Sequence, residues 1–275
     1  MSHDDRESGF AKLPHGGEIA YEIHGQEHGG IPVLLIRPLG GTMTLWGAFR
    51  TLLSEKLRVI SFDFRGSGHS SAEPAWVSTR GLARDALQVL AHLGVARAHV
   101  FGVSLGGMTA TWLAILDPVR VAKLAIASTP ARGLSLTRAG LRRDLAMAAC
   151  FARTGEDVEA ALVDRILSRA FRETHPDEVR RIEALVRAQP ASRVALAKHA
   201  AAGVLHDARR GLSRIQAPTL VLAGENDTLL GTEPVRALAE GIPQATFEII
   251  AESGHALTLE QPIVAATRVS TFLLS

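Results

Sequence analysis

Cysteine is nearly absent: Cys150 is the only one in 275 residues. A single thiol excludes an internal disulfide and a thiolate metal cluster. Its setting, the alanine-rich stretch Leu145 to Phe151, predicts a buried structural cysteine. Long apolar runs are missing too. None approaches the roughly 18 residues of a membrane span, so no membrane partner is expected. The first ten residues, Met1 to Phe10, are polar and acidic with no apolar stretch; a secretory signal is not expected, and a cytoplasmic enzyme is. No G-x-x-x-x-G-K-[ST] loop and no G-x-G-x-x-G after a strand is present, which leaves nucleotide binding without support. Neither H-E-x-x-H nor a Cys/His cluster occurs, so no metal or other cofactor is expected.

Lysine is scarce, with four in the chain, and the basic residues are nearly all arginine. The net charge of +2 is too small to point to nucleic acid, but it is unevenly spread. Ala131 to Gln216 holds 16 Arg/Lys against 10 Asp/Glu, whereas the remainder holds 14 against 18. Solvated helix faces are the plainer reading of the basic stretch. The sharper one is a cover over a site that takes anionic substrates, whose turnover would then fall with added salt.

What is present is the composition of a globular protein, 47% hydrophobic and 21% charged, in a chain long enough for a substantial core. Gly17 to Gly25 alternates Ile19, Tyr21 and Ile23, the pattern of a half-exposed strand. Short apolar runs of the buried parallel type follow at Val33–Ile36, Val59–Phe64, His99–Val103, Lys123–Ala127, Thr219–Ala223 and Phe247–Ile250. Helical patterns fall between them at Leu45–Leu57, Thr79–Leu93, Met108–Leu116, Pro234–Glu240 and Ile263–Leu274. This alternation predicts an α/β fold, a mostly parallel central sheet with helices on both faces. From Arg132 to Gly211 only helical patterns occur. The expectation is a core of residues 1–131 and 212–275, with 132–211 inserted as a helical cap over the sheet's carboxyl edge.

The strongest chemical signal is Gly102-Val103-Ser104-Leu105-Gly106-Gly107. A strand feeds it and a helix follows, so the serine must occupy a sharp turn that lifts its hydroxyl above the sheet edge. Glycines flank it because side chains there would strike neighbouring backbone. The new helix aims its first amides and the positive end of its dipole at the reacting centre. A serine needs a base. Two later strands end in turns that carry one: Gly224-Glu225-Asn226-Asp227 supplies a carboxylate and Glu252-Ser253-Gly254-His255 a histidine. Ligands in open α/β sheets bind at such carboxyl ends. Asp227 is favoured over Glu225 as the acid from its place in the turn. His92, His99, His199 and His206 are assigned no role.

Together these motifs resemble the α/β-hydrolase family of esterases, lactonases, carbon–carbon bond hydrolases and cofactor-free haloperoxidases, over nearly the whole chain. Phe62-Asp63-Phe64-Arg65-Gly66-Ser67-Gly68-His69-Ser70 is similar to its D-x-R-G-x-G-x-S loop, and Ser253-Gly254-His255 through Glu260-Gln261-Pro262 to its S-G-H…E-Q-P ending. The resemblance implies Ser104 as nucleophile, His255 as general base and Asp227 as the acid that orients it. Asp63 and Arg65 are read as one buried charged tether for their loop. Serine at position 104 argues against the epoxide hydrolases and haloalkane dehalogenases of this fold, which use aspartate there.

The chain departs from the family at Ile36-Arg37-Pro38-Leu39-Gly40-Gly41, where many members carry His-Gly. Proline has no amide to donate, but the family's donor is the next residue, here Leu39. The resemblance therefore implies an oxyanion hole from the amides of Leu39 and Leu105. Arg37 is either a buried structural arginine, the favoured reading, or a clamp for a substrate carboxylate; Gly40 and Trp46 join it as candidate substrate-binding residues. Leu39 to Trp46 and Ala127 to Arg132 are most similar to 3-oxoadipate enol-lactonases, which act on a small anionic lactone. The expectation is a serine hydrolase of a small ester or lactone, through an acyl-enzyme. A carbon–carbon bond hydrolase, a perhydrolase or haloperoxidase, an acyltransferase or lyase on the same serine, and a ligand-binding sensor with an idle triad are the alternatives.

Overall fold

Apolar runs of a few residues become strands here, and the stretches that are apolar every three or four residues become helices. The computed structural model describes residues 6–14, 16–71, 76–133, 157–188 and 192–275. Strands β1 (Glu7–Lys12), β2 (Glu18–His24), β3 (Val33–Ile36), β4 (Val59–Phe62), β5 (Ala98–Val103), β6 (Val121–Ala127), β7 (Thr219–Gly224) and β8 (Ala245–Ile250) form one eight-stranded sheet. Its order is β1-β2-β4-β3-β5-β6-β7-β8. β2 pairs antiparallel with β1 and β4, and every pairing from β4 to β8 is parallel.

Side chains alternate across each strand, so every inner strand feeds two cores. Leu34 and Ile36 of β3 join one cluster with α2 (Thr79–His92), α3 (Leu105–Leu116) and α8 (Glu233–Glu240). Val33 and Leu35 join the opposite cluster with α1 (Gly47–Ser54), α9 (Leu257–Glu260) and α10 (Pro262–Leu274). This is the α/β layering expected from the sequence.

Three details differ from expectation. β1 carries no core signal because, as an edge strand, it buries only Ala11; its register comes from pairing with β2. β2, read as half-exposed, is buried from Ile19 to Ile23. Its polar face is covered from α1, where Arg50 Nη1 donates to Glu22 at 2.8 Å, and both salt-bridge partners lose water together. The elbow helix also starts three residues before the predicted Met108, directly after the serine.

Between β6 and β7 the described residues hold α4 (Asp157–Ile166), α5 (Arg169–Thr174), α6 (Pro176–Ala188) and α7 (Arg193–Val204). Val163, Leu167, Phe171, Ile182 and Val186 pack with Leu45 and Ala256 into a third cluster, above the sheet's carboxyl edge. The two ends of the segment meet in a bridge between Arg132 and Asp207. Cys150 lies outside the described residues.

Candidate active site

Ser104 has φ 55 and ψ −117, a left-handed backbone that a non-glycine residue adopts only where the surroundings impose it. They do so by contact. A Cβ on Gly106 would lie 1.9 Å from the carbonyl oxygen of Ile36, and one on Gly102 would lie 2.4 Å from that of Gly106. The start of α3 thus sits directly on the loop leaving β3. Ser104 N donates to Ala127 O at 3.0 Å and Met108 N to Ser104 O at 2.9 Å, which fixes the turn from both sides.

The acid and the histidine come from adjacent strand ends that touch through glycine. A Cβ on Gly224 would lie 2.0 Å from Gly254 O, and Asn226 N donates to Ser253 O at 2.8 Å. Asp227 and His255 are each 6% exposed. His255 Nδ1 lies 2.9 Å from Asp227 Oδ2. The other carboxylate oxygen accepts from the amides of Leu229 (2.9 Å) and Leu230 (2.8 Å). Burial alone pushes the Asp227 carboxyl up, but His255 and the two amides outweigh it and hold the acid below its usual range. Glu225 faces solvent and accepts from the Glu252 amide instead.

The loop after β3 brings Leu39 to the same place. Leu105 is the first residue of α3, so its amide has no acceptor within the helix. Both leucines line the cavity beside Ser104. Gly40 has φ +75, and the space where a Cβ would go is filled by Leu162 of α4, 2.7 Å away. Trp46 is buried against Phe49 and Phe101, with no hydrogen-bond partner for its Nε1 among the described residues.

Arg37 is 1% exposed and already engaged. Its Nη1 donates to Pro38 O at 3.1 Å, its Nη2 to Ser67 Oγ, and its guanidinium lies 4.5 Å from the Phe64 ring centre. Asp63 Oδ1 is 3.9 Å from its Nε. Burial pulls the Arg37 pKa down to about 10 and pushes the Asp63 carboxyl up, each partner moderating the other. Asp63 also accepts from the amides of Met43 (2.9 Å) and His69 (3.0 Å), tying two loops to one carboxylate. The single tether expected from Asp63 and Arg65 is in fact two, because Arg65 turns away to Asp85, with Nε 2.6 Å from Oδ2.

Two cavities meet at Ser104, His255, Leu39 and Leu229. The smaller, about 70 Å³, is walled by Leu45, Trp46, Val103, Leu162, Ile166 and Val186. The larger, about 350 Å³, is walled by Met108, Ser128, Pro130, His199 and the small residues of α7. Apart from Trp46, sequence reading did not name these as wall residues. Nothing in Leu162 or Ala200 distinguishes a lining residue from a packing one until the helices are placed. His199, given no role from sequence, is 1% exposed, and burial followed by the nearby Arg37 charge pushes its pKa down to about 3. It is a neutral ring in this wall.

The family described as alpha/beta hydrolase fold matches residues 31–262. A putative carbamate hydrolase, RutD, of Variovorax paradoxus is 33% identical over 93% of this chain and 96% of its own. The 3-oxoadipate enol-lactonase 2 of Acinetobacter baylyi is 29% identical over 82% of this chain and 81% of its own. Among solved structures, a hydrolase from Pseudomonas aeruginosa PA01 superposes with a TM-score of 0.85 at 31% identity, over 98% of this chain and 99% of that one.

Proposed function

The chain belongs to the α/β-hydrolase fold family and is a hydrolase, and from that premise we propose that it cleaves a small ester or lactone through an acyl-enzyme on Ser104. The observation that carries this reading is the His255–Asp227 pair, 2.9 Å apart, whose histidine lines both cavities together with the strained Ser104. Asp227 accepts the Nδ1 proton and leaves Nε2 free to take the serine proton. Ser104 Oγ adds to the substrate carbonyl, and the oxyanion is held by the amides of Leu39 and Leu105. His255 then protonates the leaving oxygen, and later activates the water that releases the acid. The inserted segment 132–211 serves as the cap, and its described helices α4, α6 and α7 wall the two cavities.

The walls favour uncharged substrate limbs. Among the described residues of the two cavities the only cationic side chain is Arg37, which is held by Asp63, Ser67 and Phe64. Several arginines of the inserted segment are paired: Arg169 with Glu173, Arg172 with Asp164, and Arg181 with Glu178. A short apolar limb suits the smaller cavity and a bulkier one the larger. The names of the relatives add a lactone and a carbamate to the ester as carbonyls to try.

The test is a panel of p-nitrophenyl esters, small lactones and carbamate esters, with wild type and Ser104→Ala, alongside fluorophosphonate labelling. Turnover and labelling that both disappear in Ser104→Ala support the acyl-enzyme. A folded wild type that neither turns over nor labels sinks it. Neutral esters are expected to keep their kcat/KM as salt is raised, since screening acts on charge. An anionic ester that outruns its neutral counterpart and slows with salt would overturn the uncharged-limb reading.

A further inference from the structure

Glu260 has no part in the chemistry drawn above, yet it is a carboxylate with 6% exposure just below His255. Its Oε1 accepts from the amide of Gly254 at 3.0 Å and from the amide of Ser168 at 3.2 Å; Oε2 also lies 3.2 Å from the Ser168 amide. Gly254 immediately precedes His255. Ser168 is the residue whose hydroxyl caps α5, between two helices of the inserted segment. On the other side of the histidine, Ala256 N donates to Ile166 O, at the end of α4, at 2.9 Å. The gap is closed sterically as well. A Cβ on Gly254 would lie 2.7 Å from both Glu260 Oε1 and Ser168 N, and 3.2 Å from Ile166 O.

We propose that Glu260 is a positioning residue that locks the turn carrying His255 to the α4–α5 junction, so that the cap must be docked for the histidine to stand where it acts. This rests on His255 being the general base. Both neighbours of His255 are tied to the same junction, Gly254 through the shared carboxylate and Ala256 directly. Buried amides are seldom left without an acceptor, so separating the junction from the turn would orphan the donors at positions 168 and 256 together. The cap therefore does not lift at this side while the base stays in place. Substrate exchange takes place elsewhere, and the α7 wall of the larger cavity is where the small residues lie.

The bridge depends on reach, not on charge, because one oxygen meets both amides. Glu260→Gln keeps that oxygen; Glu260→Asp keeps the charge but is one methylene too short to span the gap. With a neutral p-nitrophenyl ester, Glu260→Asp is expected to lower kcat about tenfold or more with KM within about threefold, and Glu260→Gln to stay within about threefold of wild type in both. Amide hydrogen exchange supplies a readout independent of turnover. The Ser168 and Gly254 amides are expected to lose protection together in Glu260→Asp, by about tenfold, and to keep it in Glu260→Gln. Gly254→Ala, which leaves Glu260 intact but fills the gap, reproduces the loss of kcat by undocking the cap.

Glu260→Asp at wild-type kcat and protection, Glu260→Gln as impaired as Glu260→Asp, loosening of one amide without the other, or Gly254→Ala at wild-type kcat each overturn the proposal. A wild type with no turnover and no fluorophosphonate labelling removes the Ser104–His255 reading instead, and the paired exchange of Ser168 and Gly254 then decides the lock by itself.

Discussion

Asp227 is held below the usual carboxylate range despite its burial, because His255 and the amides of Leu229 and Leu230 all favour the anion. The residue is built to stay charged beside an imidazole. Asp227→Asn keeps the shape but offers a donor where Nδ1 needs an acceptor, and kcat is expected to fall by roughly 10³–10⁴ while the protein stays folded. Steady-state kinetics with a circular dichroism control checks this; a fall of less than about tenfold would remove Asp227 from the mechanism. Arg37 presents the opposite case, a charge whose surroundings are structural. Arg37→Ala leaves Asp63 buried without its partner and is expected to cost about 3–5 kcal/mol in urea unfolding, whereas Arg37→Met combined with Asp63→Asn costs clearly less. Equal losses in the single and double variants would show that the pair is not what the site needs.

Among the elements, the elbow and the loop after β3 form one unit because glycine lets them touch. Gly106→Ala places a methyl 1.9 Å from the Ile36 carbonyl. Either the start of α3 or the loop carrying Leu39 must move. Since the proposed oxyanion amides of Leu39 and Leu105 lie on these two pieces, a displacement of about 1 Å is expected to lower kcat by about 10² or more. Gly29→Ala, where nothing lies within 4 Å, is the control and should stay within about 0.5 kcal/mol of wild type. Esterase assays and unfolding curves on the two variants separate contact from glycine content. Matching losses in both would show that the contact at Gly106 is not what matters.

For the molecule as a whole, acid is the expected weak point, and the reason lies where α7 and the residues after it meet the sheet and α2. His199 packs its ring on Phe64 of the core, and His206 hydrogen-bonds through Nδ1 to Thr79 Oγ1 at 2.9 Å. Burial pushes their pKa values down to about 3 and about 4. In the unfolded chain a histidine titrates near ~6.5. Below that pH the unfolded state binds protons that the folded state refuses, so stability falls as pH drops from ~6.5 towards 4, by up to about 1.4 kcal/mol per pH unit for each ring. Urea midpoints are expected to be clearly lower at pH 5 than at pH 7.5, and His199→Phe should flatten the dependence. A midpoint that does not move between these pH values contradicts it.

Much of this was readable in the residues themselves, because it depends on local pattern. The strand runs, the helix periodicity and the Gly-x-Ser-x-Gly turn are properties of a few consecutive residues, and the polypeptide chemistry that selects them acts over the same range. So the parallel sheet, the elbow and the order Ser104, Asp227, His255 could be written down in advance. Edge strand β1 could not, since its register comes from pairing with β2; nor could the burial of Glu22 beneath Arg50 or the separate tethers of Asp63 and Arg65, whose partners lie 20 or more positions away in the chain. The same holds for the cavity walls and for Glu260, whose carboxylate meets Ser168 across 92 positions. Sequence determined which groups could react. The folded packing of distant segments decided which are buried, which are neutral, and which hold the reactive ones in place, because burial and reach are properties of space and not of order along the chain.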